Sequence, residues 1–144
     1  MEQTVSPSVS PVLTTASPDG TANRWGPLAV VPPQGGSDLI GLEGTLSITE
    51  ACVYVEASGK MFLLIWPADQ TTWNAEARSV TFENFDRSVV TVRNGDRVVL
   101  GGSGDDEAES GITPQVFLAR TTWVSRPGSS CSLDPRWHVG VVGN

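Results

Sequence analysis

ACVYVEASGKMFLLIWP, residues 51–67, is the densest apolar run of the chain. Its first half alternates. Val53 and Val55 fall on one side of a pleat; Cys52, Tyr54 and Glu56 fall on the other. Ser58-Gly59 is a two-residue turn signal, with glycine supplying the positive φ that tight hairpins need. Met61 to Trp66 is then apolar without a break, which suits a strand covered on both faces. A buried helix is the rival, but Gly59 and Pro67 leave too little length for one. Pro67 has no N–H for a ladder, so the strand should stop there. The stretch predicts a β-hairpin at the centre of the molecule.

Working outward, Leu42, Gly44, Leu46 and Ile48 alternate with Glu43, Thr45, Ser47 and Thr49, the pattern of a half-buried strand. Val80 and Phe82 face alike in a strand over residues 79–83, and residues 89–92 form another β-branched run. Asn94-Gly95 is a strong hairpin signal and leads to a strand with Val98 and Leu100 inward. Glycines 101, 102 and 104 end that strand or bend it sharply. Residues 68–77 read as a loop or a short helix. Residues 115–120 read as a strand with Val116 and Leu118 inward. Trp137, Val139 and Val141 share one face of a last strand. About seven or eight short strands, with turn signals every ~8–12 residues, predict an all-β sandwich or small barrel. No amphipathic helix and no internal repeat stands out.

The chain of 144 residues suits one domain, and 15 glycines with 10 prolines call for many turns. Residues 1–37 form the expected flexible N-terminal segment, and residues 38–144 the β domain. Three Ser-Pro steps (Ser6-Pro7, Ser10-Pro11, Ser17-Pro18) block helix in the first part. Trp25 and Leu28 to Val31 are apolar enough to dock on the core. A net charge of −7 disfavours nucleic acid and anionic membranes as electrostatic partners. No apolar stretch has the length of a membrane-spanning helix, and residues 1–3 carry no signal-peptide start. A monomer is expected, with no insertion of the domain in a membrane.

Cys52 and Cys131 are the only cysteines, 79 positions apart (131 − 52). Two cysteines in a small turn-rich chain point to a disulfide, with two buried free thiols as the alternative. A bridge over that loop constrains the unfolded chain by roughly 4–5 kcal/mol in the entropy model. One histidine, His138, and no paired cysteines leave no zinc spacing. No Gly-x-Ser-x-Gly elbow is present, and His138 reads as a packed or surface side chain. No enzyme and no cofactor are expected, although a hydrolase using loop carboxylates is a further alternative. Asp105, Asp106, Glu107 and Glu109 invite a cation but lack the ligand spacing of an EF-hand.

The five tryptophans are the functional lead. Trp66 and Trp137 sit in strands and read as core. Trp73 and Trp123 sit in polar segments, with Arg120 and Arg126 beside the second. Trp73, Trp123 and Arg126 are therefore the candidate contacts for a sugar ring or a protein. The alternative is that both tryptophans fold back over the barrel ends.

GLEGTLSI (41–48), ACVYVE (51–56), a glycine turn, Trp66-Pro67 and NGDRVVLGGSG (94–104) together resemble small OB-like barrel domains of uncharacterised exported bacterial proteins, lipoproteins among them. The resemblance covers roughly residues 41–104. It implies a closed or partly open antiparallel barrel and attaches no activity. Residues 105–144 exceed a minimal five-stranded barrel, so a sandwich stays open. The expected function is a non-catalytic extracytoplasmic domain that binds a protein or a cell-envelope glycan, secreted or tethered by lipid in its native precursor, with a cytoplasmic location as the alternative. The alternative is a structural module with no ligand of its own.

Overall fold

The computed structural model describes residues 24–34 and 40–143. The Ser-Pro segment and the expected boundary near residue 38 lie outside the described residues. The strands are β1 (Ala29–Val31), β2 (Ile40–Ile48), β3 (Val53–Ala57), β4 (Lys60–Pro67), β5 (Thr71–Asn74), β6 (Ser79–Glu83), β7 (Val89–Arg93), β8 (Arg97–Asp105) and β9 (Arg136–Gly143). Two short helices, α1 (Glu107–Ser110) and α2 (Pro114–Arg120), lie between β8 and β9.

The main sheet runs β1-β4-β3-β2-β8-β9, and an added β4–β9 pairing closes five of its strands into a barrel. Closure excludes the open sandwich. The barrel is mixed rather than antiparallel, because β9 joins β4 in parallel, with Leu63 opposite Arg136 and Ile65 opposite His138. This connectivity is consistent with an OB-like fold. Between β4 and β8 the chain makes a separate antiparallel sheet, β5-β6-β7. Trp25, Leu28 and β1 dock on the barrel as expected: both side chains are buried, and β1 runs parallel to the end of β4.

The central hairpin forms as the pattern requires. Ser58 and Gly59 both take positive φ, 54° and 78°. Val53, Val55, Leu64 and Trp66 bury inside the main core, while Leu63 buries on the other face among a second cluster. β4 is thus covered on both sides, and it ends at Pro67. β2 serves two neighbours in turn, β8 through residues 40–45 and β3 through residues 45–48. Gly44 sits at the changeover, where a Cβ would run into the carbonyl of Glu56. Only glycine lets the strands come this close.

Four expectations are corrected. Asn94-Gly95 forms a turn, with Gly95 at φ 90°, but β7 and β8 do not pair across it and belong to different sheets. Leu46 takes that pairing instead, donating its N–H to Asp96 O at 2.8 Å and accepting from Gly95 N at 2.8 Å. Residues 71–74, expected as loop or helix, are strand β5. Residues 115–120 belong to helix α2 instead of a strand, so Val116 is exposed while Phe117 and Leu118 face the second cluster. Six residues are too few for period to separate strand from helix. The deciding signal was Thr113-Pro114: Thr113 Oγ1 accepts from Val116 N–H, and proline fits the first turn. Finally, Val142 rather than Val141 buries in the core. Gly102 pairs with Val139 and Gly101 with Val141, so Gly140 is an extra residue that reverses the facing of the residues after it.

Candidate functional site

Residues 106–135 form an excursion between β8 and β9 that lies over the outward side of β3 and β4. Leu133 buries with Leu63 and Cys52, and Tyr54, Phe117, Leu118 and Trp123 pack around them. This apolar seam is small. Specific fastenings supplement it.

Cys52 and Cys131 are joined by a disulfide, with Cα atoms 5.7 Å apart. The bridge ties the β2–β3 connection to the excursion. Next to it, Ser132 N–H donates to Tyr54 Oη at 2.9 Å. At the excursion's middle, Val30 N–H donates to Ser125 O at 2.9 Å and Val124 N–H donates to Val30 O at 2.8 Å.

At its base lies Arg136, whose side chain is wholly buried. Its Nε donates to Asp105 Oδ1 at 2.8 Å and its Nη2 to Oδ2 at 3.3 Å. Nη1 donates to Leu133 O at 3.0 Å, and Nη2 also reaches Ser110 Oγ and Ile112 O at 3.3 and 3.2 Å. The guanidinium stands 4.3 Å from the ring centre of Phe117. A buried cation is tolerated only when paired and hydrogen-bonded, and here one arginine gathers both ends of the excursion.

These fastenings leave a cleft between α2 and the β8–β9 ladder. It encloses about 250 Å³ and is lined by Ser103, Gly104, Asp105, Ile112, Phe117 and His138. A second hollow of about 250 Å³ shares Ile112 and Phe117 and is bounded by Arg120 and Thr121. Ser103 and His138 are direct partners across the ladder. Burial holds the His138 imidazole below its ordinary pKa; the Asp105 carboxylate opposes this and Arg136 adds to it. The ring is therefore neutral at pH 7, with one nitrogen to donate and one to accept. Among the described residues it makes no side-chain hydrogen bond. No Ser103–His138 bond is formed, and both oxygens of Asp105 are held by Arg136, so these three do not make a nucleophilic triad.

The candidate contacts are dispersed. Trp73 lies on β5 at the edge of the main core. A Cβ at Gly26 would run into its indole, and the Arg78 guanidinium stands 5.8 Å from its ring. Trp123 packs in the second cluster, edge-on to Phe117 at 6.1 Å between centroids. Its Nε1 donates to Leu118 O at 3.0 Å. Arg126 is exposed on the same loop. Trp73 and Trp123 thus belong to different clusters.

The acidic run has internal duties. Asp105 pairs with Arg136, Asp106 caps α1 by accepting from Glu109 N–H at 2.8 Å, and Lys60 stands 3.8 Å from Asp106. Among the described residues no group of three or more histidine, cysteine or acidic side chains is placed to hold a metal ion.

Of the residues that shape the cleft, sequence reasoning set His138 aside as a packed or surface side chain and did not pick out Arg136 or Phe117. The available signal was an arginine at the start of an otherwise apolar strand. No family model, curated protein or solved structure matches this chain.

Proposed function

We propose that the protein is a non-catalytic extracytoplasmic binding domain whose ligand, a cell-envelope glycan or a protein segment, is held at the cleft of the 106–135 excursion. The observation that carries the reading is the cleft itself. It combines an aromatic wall (Phe117), a neutral histidine and a serine hydroxyl on a floor fixed by the β8–β9 ladder. An apolar wall with a few convergent polar groups is what a small ligand site needs. The disulfide and Arg136 keep the wall in place before binding, which lowers the ordering cost. Trp123 packs edge-on against Phe117, and Arg126 is exposed on the Trp123 loop.

The extracytoplasmic part rests on the bridge. A cross-link between distant segments persists in an oxidising compartment. Among the described residues no helix is long and apolar enough to cross a membrane. A lipid tether on the precursor belongs to the same proposal.

The experiment is an amide-shift titration with N-acetylated hexosamine oligomers and, separately, with soluble envelope peptide fragments. Shifts at Ser103, Phe117 and His138, lost in Phe117→Ala and kept in Trp73→Ala, support the reading. Shifts centred on Trp73 move the site to β5. The absence of any saturable shift at either place overturns the reading. A second one, a structural module, is favoured by the excursion spending its apolar side chains on the barrel's own β3–β4 face.

A further inference from the structure

We infer that the β6–β7 turn, residues 84–88, is a separate docking surface that receives a basic segment of a protein partner. This goes beyond the cleft proposal and uses none of its residues. Phe85 and Val89 are 57% and 61% exposed, two of the largest apolar exposures in the described molecule, and they flank one turn.

The turn that presents them is fixed. Asn84 N–H donates to Ser88 O at 2.8 Å, and Arg87 N–H donates to Asn84 O at 2.9 Å. The buried Asn84 side chain clamps the turn to β9, donating to Val142 O and accepting from Val142 N–H, each at 3.0 Å. Moving the backbone that carries Phe85 would break a paired, buried amide. An aromatic side chain held out in water by a rigid support has the form of an interface anchor.

The groove beside it states the partner's chemistry. It encloses about 190 Å³ and is lined by Asp69, Gln70, Glu83, Asn84, Phe85 and Arg87. Both amides are used internally, since Gln70 Nε2 donates to Glu83 O at 3.0 Å. The charged groups remain. Asp69, Glu83 and Arg87 form no ion pair among the described residues. Asp86 accepts from the Ser88 hydroxyl and N–H, which holds its carboxyl below the usual range, so it adds negative charge. Two carboxylates in the groove, with Asp86 on the same turn beside it, outnumber the one guanidinium and favour a cation. A second copy of this chain, at −7, is repelled. A neutral glycan leaves the carboxylates without a counterpart. The occupant that fits is a lysine or arginine flanked by apolar side chains, the cation in the groove and the apolar neighbour on Phe85 and Val89. The apolar contact supplies most of the affinity and the exposed charges supply the selectivity.

The test uses the whole chain and two short amidated peptides, one with an arginine between leucines and one with citrulline in its place. Amide-shift titration is expected to show saturable changes confined to residues 69–70 and 83–89. Phe85→Ser is expected to bind about tenfold more weakly, and the citrulline peptide and the Glu83→Gln variant each about three- to fivefold more weakly. Both variants alter exposed side chains and leave the fold intact, which unchanged far-UV dichroism checks. Equal binding of the two peptides, no saturable change, or changes elsewhere overturn the inference. Changes at Phe117 and His138 report on the cleft instead, so the two proposals fail separately.

Discussion

Leu63 and Leu64 are neighbours on β4, yet they bury in different bodies. Leu64 points into a barrel core shared with Trp66, Val55, Val98 and Leu100, while Leu63 lies under the excursion, where among the described residues Cys52 and Leu133 are its buried companions. The barrel side has apolar area to spare. The excursion side has little, and holds by a disulfide, a buried arginine and backbone bonds to β1. A closed sheet is stabilised by area. A long irregular connection has no such face and depends on a few specific links, each of which a single substitution removes.

The largest effects fall on one key residue in each region. Trp66→Ala empties the centre of the barrel and should cost about 3–5 kcal/mol in urea unfolding. Arg136→Ala leaves Asp105 and the carbonyls of Leu133 and Ile112 without their buried partner, and should cost a similar ~3–5 kcal/mol. The two should differ in kind. The first lowers the stability of the whole molecule; the second should separate the signal of Trp123 from that of the barrel. A single coincident transition in Arg136→Ala would contradict the division.

Replacing both cysteines by alanine should lower stability by about 2–4 kcal/mol, read from the urea midpoint. The barrel's far-UV signal at low urea should be unchanged. Asn84→Ala sharpens the contrast from a third side. It strips both partners from the backbone of Val142 and should cost about 1–3 kcal/mol, loosening the β5–β7 sheet with little effect on the excursion.

The smallest effect is a pH slope. His138 titrates lower in the folded chain than its ordinary value of 6.5, chiefly through burial. The unfolded chain therefore binds the proton more readily. Its contribution to stability is complete above pH 6.5 and is lost as pH falls from there through the folded pKa. Stability measured across that window should decline toward acid, and His138→Gln should flatten this part of the curve.

The barrel was legible in the sequence because its residues obey a local rule. Alternation over 42–48, two-sided burial over 61–66 and the glycine turn at 59 each depend on near neighbours. The excursion was not, because its determinants are distant. Arg136 looks like an ordinary polar residue at a strand start until Asp105, Ser110 and Ile112 come back across the chain to meet it. The facing of Val141 and Val142 depends on an extra residue that only the partner strand reveals. The cysteine pair was the one distant link that composition alone made visible. Trp73 and Trp123 drew notice as aromatics in polar surroundings; the cleft was missed because Phe117 lay in a segment read with the wrong period.

Amide hydrogen exchange on the intact chain, with and without a dithiol reductant, tests the central claim most directly. Reduction should sharply raise exchange over residues 107–135 while β2, β3, β4, β8 and β9 stay protected. Equal loss of protection in both regions, or an excursion as protected after reduction as before, would contradict it.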